Sequence, residues 1–376
     1  MSETEEIYDK VRVLLSPKGR SLMLPKHEAT EKMLQCIFTE EEAQLVSSSI
    51  TRANKKVSVE KICEISNLQQ EKVQKLLDQM VYKGTLMKRG DSNYHILPFL
   101  PGLFECYFTY NRDTPERMKE AAKYHRILRE AVYRPDKKFP RDPPTEFNKM
   151  SLWRFAPAFD PISKTIEINK KIEKGPEILP YEALGPHLAK YKTFSVTPCA
   201  CRVAADFSGN PCSHTDRHDN QFCAQMGDFA KFLIAEGIAT ELTYEEMIER
   251  LKEAETHGLV HSASNTVDPS AFVCNCCPDC CEALNRAIMG SRRGFTQSNF
   301  NPIVNEDDCT LCDTCVEICP MSTITHQEDP EKIIMDYNNC LGCGLCAANC
   351  PEEAITLEKV RDNKPIPSIK SFRVLK

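Results

Sequence analysis

Two cysteine runs near the C-terminal end of this sequence have the residue types and spacing for redox chemistry. The first is Cys309-x2-Cys312-x2-Cys315-x3-Cys319-Pro320, the second Cys340-x2-Cys343-x2-Cys346-x3-Cys350-Pro351. Thiolates so spaced ligate cubane [4Fe–4S] clusters, and in two-cluster chains the fourth cysteine of each run serves the other cluster. The spacing therefore predicts one ligand set of Cys309, Cys312, Cys315 and Cys350, and another of Cys340, Cys343, Cys346 and Cys319. Three thiolates two residues apart wrap a tight loop whose N–H groups can point at sulfur. The proline after the fourth cysteine suits a first helical turn, where no N–H is needed. Zinc ribbons would instead use separated cysteine pairs. The runs start 31 residues apart, an internal repeat of one unit.

On these motifs, residues from about Asn305 to Val360 resemble a bacterial-type two-[4Fe–4S] ferredoxin domain. The resemblance implies two clusters, single-electron transfer and a redox partner protein, either an oxidoreductase subunit or an electron donor. One departure stands out: Gly342 and Gly344 flank the second cysteine of the second run, but Leu311 and Asp313 hold these places in the first. The first loop must accept side chains where glycine is usual. That should change the cluster's surroundings, not the ligands.

A second group of cysteines is less expected. Between Lys192 and Arg293 lie nine: Cys199, Cys201, Cys212, Cys223, Cys274, Cys276, Cys277, Cys280 and Cys281. Two tight bursts are hard to read as core packing. If the second burst is helical, Cys277 and Cys281 share a face, as do Cys276 and Cys280. Nine thiols suffice for one or two four-ligand centres, and the simplest joins Cys199 and Cys201 to the second burst. Iron–sulfur is the first expectation, zinc the alternative; His214 and His218 keep a mixed Cys/His site open, although neither has a standard zinc spacing. Arg202 could offset cluster charge or serve as a surface ion-pair residue. The arrangement as a whole resembles uncharacterised ferredoxin-fusion proteins of anaerobes, a likeness that implies no particular reaction.

The rest of the chain must position these thiols. With 376 residues there is room for two or three domains. Helices are predicted over Glu28–Ile37, Glu40–Asn54 and Gln69–Lys83, the last from apolar Val73, Leu76, Leu77 and Met80. Strands follow at Leu86–Arg89 and Tyr94–Leu97 around a Gly90–Ser92 turn. Helix, turn, helix and a two-stranded wing resemble a winged-helix domain. Between Lys26 and Glu105 there are 11 basic and 11 acidic residues, and only Lys83, Lys88 and Arg89 make the wing locally basic. This balance argues against DNA binding and for protein docking or oligomerisation. Cys36, Cys63 and Cys106 stand alone, as buried small apolar residues do.

A helix is predicted over Thr114–Tyr133, then a proline-rich linker over Arg134–Pro144, with Trp153 in a core or interface. A strand at Thr193–Val196, a helix at Met226–Glu236 and one opened by the Thr243/Glu246 capping box complete the middle region. The whole reads as an α+β multidomain chain. Its parts are a winged-helix-like domain over 1–110, a helical arm and linker over 111–190, a cysteine-rich α/β metal-binding domain over 191–295, and the ferredoxin domain over 296–376.

Twenty cysteines with no apolar signal core at the N-terminus, and no apolar run long enough to span a membrane, fit a cytoplasmic protein whose thiols serve metal in a low-oxygen host. The net charge of −6 lies in residues 296–376, which hold 13 acidic and 7 basic groups. An acidic face would steer basic partners. No dinucleotide fingerprint, P-loop, GxSxG or HExxH motif occurs. The preferred reading is an electron-transfer protein. An iron–sulfur reductase with its centre at the middle cysteines, and a redox-sensing DNA-binding regulator, are the alternatives.

Overall fold

The structure is a computed structural model that describes residues 2–17, 24–133, 153–172, 182–215, 220–266, 271–289 and 295–365. It divides into two compact units, 1–137 with 199–211, and 138–198 with 212–376.

In the first unit, capping boxes start two helices. Ser2 with Glu5 opens Glu3–Leu15, and Thr39 with Glu42 opens Glu40–Ser49. The helix predicted over Glu40–Asn54 stops at Ser49, in a serine run where the Ser48 hydroxyl bonds back to the Gln44 carbonyl at 2.8 Å. Helices Val59–Ser66 and Gln70–Lys83 follow, then an antiparallel sheet with Asn93–His95 between Val57–Ser58 and Met87–Arg89. Helix Pro115–Tyr133 buries Met118, Ala121, Ala122 and Leu128 in the same core as Phe38, Phe99, Phe104 and Tyr107. Helix Ala200–Phe207 adds Ala200 and Ala204 to that core. Cys36 and Cys63 pack partly buried against it, and burial pushes the Cys106 thiol up to about 12. Lys83, read from the sequence as part of a basic wing, is instead buried and bonded to Glu42 at 2.8 Å.

The second unit is built on a seven-stranded sheet in the order Phe295–Thr296, Trp153–Phe155, Val260–Ser264, Phe272–Cys276, Cys223–Met226, Phe194–Thr197, Thr240–Leu242. Only the first pair is parallel. Strand Phe194–Thr197 is buried at all four positions. Its two hydroxyls are satisfied by one amide: Ser195 donates to Gln225 at 3.1 Å, and Gln225 donates to Thr197 at 2.8 Å. Helix Tyr244–Thr256 begins at the foreseen Thr243/Glu246 capping box and buries Met247, Leu251 and Ala254. Trp153 lies in a strand, its ring 5.2 Å from that of Phe272.

The C-terminal part of this unit repeats a simple pattern. Each cysteine loop leads into a one-turn helix, Thr314–Glu317 or Leu345–Ala348. Strand pairs Phe300–Val304 with Ile355–Lys359, and Ile324–Glu328 with Glu331–Met335, brace the two loops. Among the described residues, no helix is long and apolar enough to cross a membrane. The predicted Arg134–Pro144 linker lies outside the described residues.

Candidate metal centres

Cys309, Cys312, Cys315 and Cys350 line one cavity, together with Val304, Ile333 and Ile355. Burial raises the Cys315 thiol to about 11, and the neighbouring Cys309, Cys312 and Cys350 add to the rise. Exposed Cys312 is lowered instead, by the Thr314 hydroxyl and N–H. A second gathering holds Cys340, Cys343, Cys346 and Cys319. Burial raises Cys346, with Cys343, Cys340 and Cys319 contributing in turn. The fourth thiol of each run thus faces the other run's first three. Four converging thiols in an apolar-walled cavity fit a cubane cluster. N–H donors point at sulfur in the second set: Gly342 to Cys340 at 3.3 Å and Thr323 to Cys319 at 3.4 Å.

The two loops share one backbone shape despite their different residues. Leu311 and Asp313 have φ of 57° and 61°, Gly342 and Gly344 of 68° and 72°. Left-handed backbone costs a non-glycine residue about 1–2 kcal/mol. Asp313 is anchored there by His326 Nδ1, which donates to its carboxylate at 2.9 Å. The loop carrying Leu311 can afford side chains because it faces solvent. The loop carrying Gly342 cannot: a Cβ there would meet the Phe300 carbonyl at 2.1 Å and Ser298 Oγ at 2.2 Å.

The loops differ in surroundings. Around the first, Glu306, Asp307, Asp308, Glu317 and Glu352 are exposed. The second is docked against the sheet. Ala158 N–H donates to the Cys343 carbonyl at 2.8 Å, Ser298 N–H to Leu341 at 3.0 Å, and Gln297 to Cys340 at 2.6 Å. Leu341, Leu345 and Cys343 share an apolar core with Cys276, Cys281, Phe155 and Phe295.

The second middle burst is not helical. Phe272–Cys276 is a strand, residues 277–280 make a turn, and the helix starts at Glu282. Strand pairing takes the backbone of residues 272–276, and Pro278 lacks the N–H a helix would use. Thus Cys276, in the strand, does not share a helical face with Cys280, and only a single turn, with the Cys281 N–H donating to the Cys277 carbonyl at 3.2 Å, relates Cys277 to Cys281. Two thiol sets result. In one, the strand register that pairs Ala224 with Val273 continues to set Cys223 opposite Cys274. A hydrogen bond with Cys223 raises Cys274, burial adds to it, and Cys276 and Cys281 add further. The other set is Cys212, Cys277 and Cys280 with Asp279, whose ligand atoms all lie within 4.8 Å of one another. Hydrogen bonds from Cys277 and Cys280 hold the Cys212 thiol well below its ordinary range, helped by the His214 N–H and the Thr215 hydroxyl. Asp279 escaped the sequence reading, although its place between Cys277 and Cys280 was the signal for it.

Cys199 and Cys201 fall in the first unit, where Cys199 is the residue before helix Ala200–Phe207 and Cys201 packs against the core. Arg202 is 2% exposed, so it is not a surface residue. The His214 ring donates through Nδ1 to the His257 carbonyl at 3.1 Å, and His218 lies outside the described residues.

Residues 308–355 match the family described as a 4Fe-4S dicluster domain. A ferredoxin from Methanothermococcus thermolithotrophicus is 37% identical over 51 residues, which is 14% of this chain and 82% of that protein. No solved structure matches the chain. Through this C-terminal segment the chain belongs to the ferredoxin family, whose clusters transfer electrons.

Proposed function

We propose that this chain is an electron-transfer protein with three iron–sulfur centres in a row. The first would be held by Cys309, Cys312, Cys315 and Cys350, the second by Cys340, Cys343, Cys346 and Cys319. The third would be held by Cys223, Cys274, Cys276 and Cys281. When bound, each cluster supplies one reversibly held electron. The chain's residues do the rest. The exposed first loop, rimmed by carboxylates, offers a docking face for a basic redox partner. The docked second loop keeps water from its thiols and sets them against the middle cysteines.

The observation that carries this reading is the shared core of Cys343, Leu341 and Leu345 with Cys276 and Cys281. The third set also resembles the ferredoxin sets in its looser gathering, since none of the three has its thiols within the 4.8 Å limit met by the Cys212 group among the described residues. This reading assigns no role to Cys199 and Cys201. The winged-helix-like segment of the first unit serves best as a protein-docking or dimerisation module. With Lys83 bonded to Glu42, the wing keeps only Lys88 and Arg89 of the three cations that made it locally basic.

The test is iron and acid-labile sulfide per chain after anaerobic purification, with paramagnetic resonance of the reduced protein. About twelve irons are expected, four per cubane, and Cys276→Ser should remove about four. Eight irons, unchanged by Cys276→Ser, would restrict redox chemistry to the ferredoxin segment.

A further inference from the structure

We infer that Cys212, Cys277, Cys280 and Asp279 form a second kind of centre, a closed four-coordinate site for a single zinc ion. Around one tetrahedral Zn2+ with bonds of about 2.3 Å, thiolate sulfurs lie roughly 3.8 Å apart. The four ligand atoms, all within 4.8 Å of one another, are close to that arrangement. A cubane places four irons and four sulfides between its thiolates, which holds them further apart. The same structure supplies the comparison. Among the described residues the eight ferredoxin cysteines form no group this tight.

The donors fit zinc in kind as well. Three thiolates and a carboxylate are all accepted ligands, and thiolate-rich tetrahedral sites favour zinc. Asp279 is oriented for the task. Its Oδ2 accepts the Ser213 N–H at 2.8 Å and the Ser213 hydroxyl at 3.0 Å, while Oδ1 lies 3.7 Å from Cys212 Sγ. Such outer hydrogen bonds fix a ligating carboxylate. The sequence explains the geometry. Cys277-Pro278-Asp279-Cys280 is a turn that presents three donors, and the loop at Cys212 brings the fourth from the segment that enters strand Cys223–Met226. One ion would clip that loop to the end of strand Phe272–Cys276. Being redox-inert, zinc here would be structural, beside clusters that move electrons.

The experiment is zinc and iron per chain by elemental analysis on full-length protein, with uptake of Co2+ as an optical probe. The expected result is one zinc per chain in addition to the iron. Cys280→Ser should lose that zinc and keep its iron, and Co2+ added to the zinc-depleted protein should give the visible bands of tetrahedral thiolate cobalt. Asp279→Asn keeps all three thiols and covers the case of a poorly folding cysteine variant. It should still bind Co2+, with weakened affinity and shifted bands. Loss of about four irons in Cys280→Ser, full zinc in both variants, or Co2+ bands unchanged by Asp279→Asn would each overturn the site. Electron transfer by the ferredoxin clusters would stand in any of these cases, because iron and resonance signals are read on the same samples.

Discussion

The backbone N–H of Ala158 donates to the carbonyl of Cys343 at 2.8 Å. Ala158 immediately precedes helix Phe159–Ile172, and Cys343 is the second cysteine of its run. The sheet-bearing part of the second unit thus holds the second cysteine loop from below. The first loop, by contrast, turns Cys312 to solvent. The two halves of an internal repeat thus differ in exposure, which under the electron-transfer reading proposed above makes the first loop the accessible end.

Gly342→Ala should abolish the second cluster. The added Cβ would meet backbone at 2.1 Å, and the positive φ adds strain of about 1–2 kcal/mol. Gly90→Ala is the control, with a similar φ of 62° but nothing within 4 Å of its Cβ. It should cost only about 1–2 kcal/mol and leave the iron untouched. Elemental iron and reduced-state resonance on both variants check this. Full iron in Gly342→Ala would mean the loop can leave its dock.

The acidic rim should act on rate more than on assembly. A triple variant, Glu306→Gln with Asp307→Asn and Asp308→Asn, removes three exposed charges beside Cys309. Reduction by a basic electron donor should slow by about tenfold or more at low salt, and the difference should shrink toward 0.15 M, where the Debye length is only about 8 Å. Stopped-flow bleaching of cluster absorbance measures it. Salt-independent rates in the parent protein would show that docking occurs on another face.

Much of this arrangement was legible because its signals are local. The cysteine runs fix a loop by spacing alone, and the Thr243/Glu246 box marks a helix start at the residue where it occurs. The apolar period of Val73, Leu76, Leu77 and Met80 likewise marks the helix that runs over Gln70–Lys83. The middle cysteines were not legible in this way. Whether Cys276 and Cys280 share a helical face depends on strand pairing with Val260–Ser264, a contact between distant segments that no short window contains. Asp279 was hidden for the same reason, since its meaning comes from Cys212, 67 residues earlier. Lys83 looked like surface charge because its partner Glu42 is 41 residues away.

The first unit should lose stability as pH falls. Burial holds His95 at about 4 and His125 at about 3, with nearby Arg89 and Arg129 adding to the respective depressions. Burial raises Glu105 to about 7, against the N–H that Gly102 donates to it. A histidine depressed in the folded state contributes stability above pH 6.5 that is lost as pH drops. The raised glutamate has the opposite sign over the same window. Near about pH 5.5 the unfolded chain therefore holds about two protons on these three groups where the folded unit holds about one. Stability from these three groups should fall by about 1.4 kcal/mol per pH unit. His125→Phe, beside Phe104, should flatten the profile. Hydrogen exchange across residues 24–133 measures both slopes, and equal slopes in parent and variant would contradict the assignment.

Lys83 is the strongest single test of how the first unit is tied together. Its ammonium donates to Glu42 at 2.8 Å and to the Ile37 carbonyl at 3.2 Å, and lies 3.9 Å from Asp113. Asp113 in turn accepts from Tyr107 at 3.1 Å and pairs with Arg117 at 3.3 Å. The group thus joins the ends of helices Glu28–Ile37 and Gln70–Lys83 to the start of Glu40–Ser49. Lys83→Met should cost about 3–5 kcal/mol, because it leaves the Glu42 carboxylate, only 2% exposed, without its cation. Lys83→Met with Glu42→Gln should recover part of that loss, since a neutral amide can still accept the Thr39 N–H of the capping box. Additive losses in the two single variants and the double, read from denaturant midpoints, would show that the two side chains are not coupled.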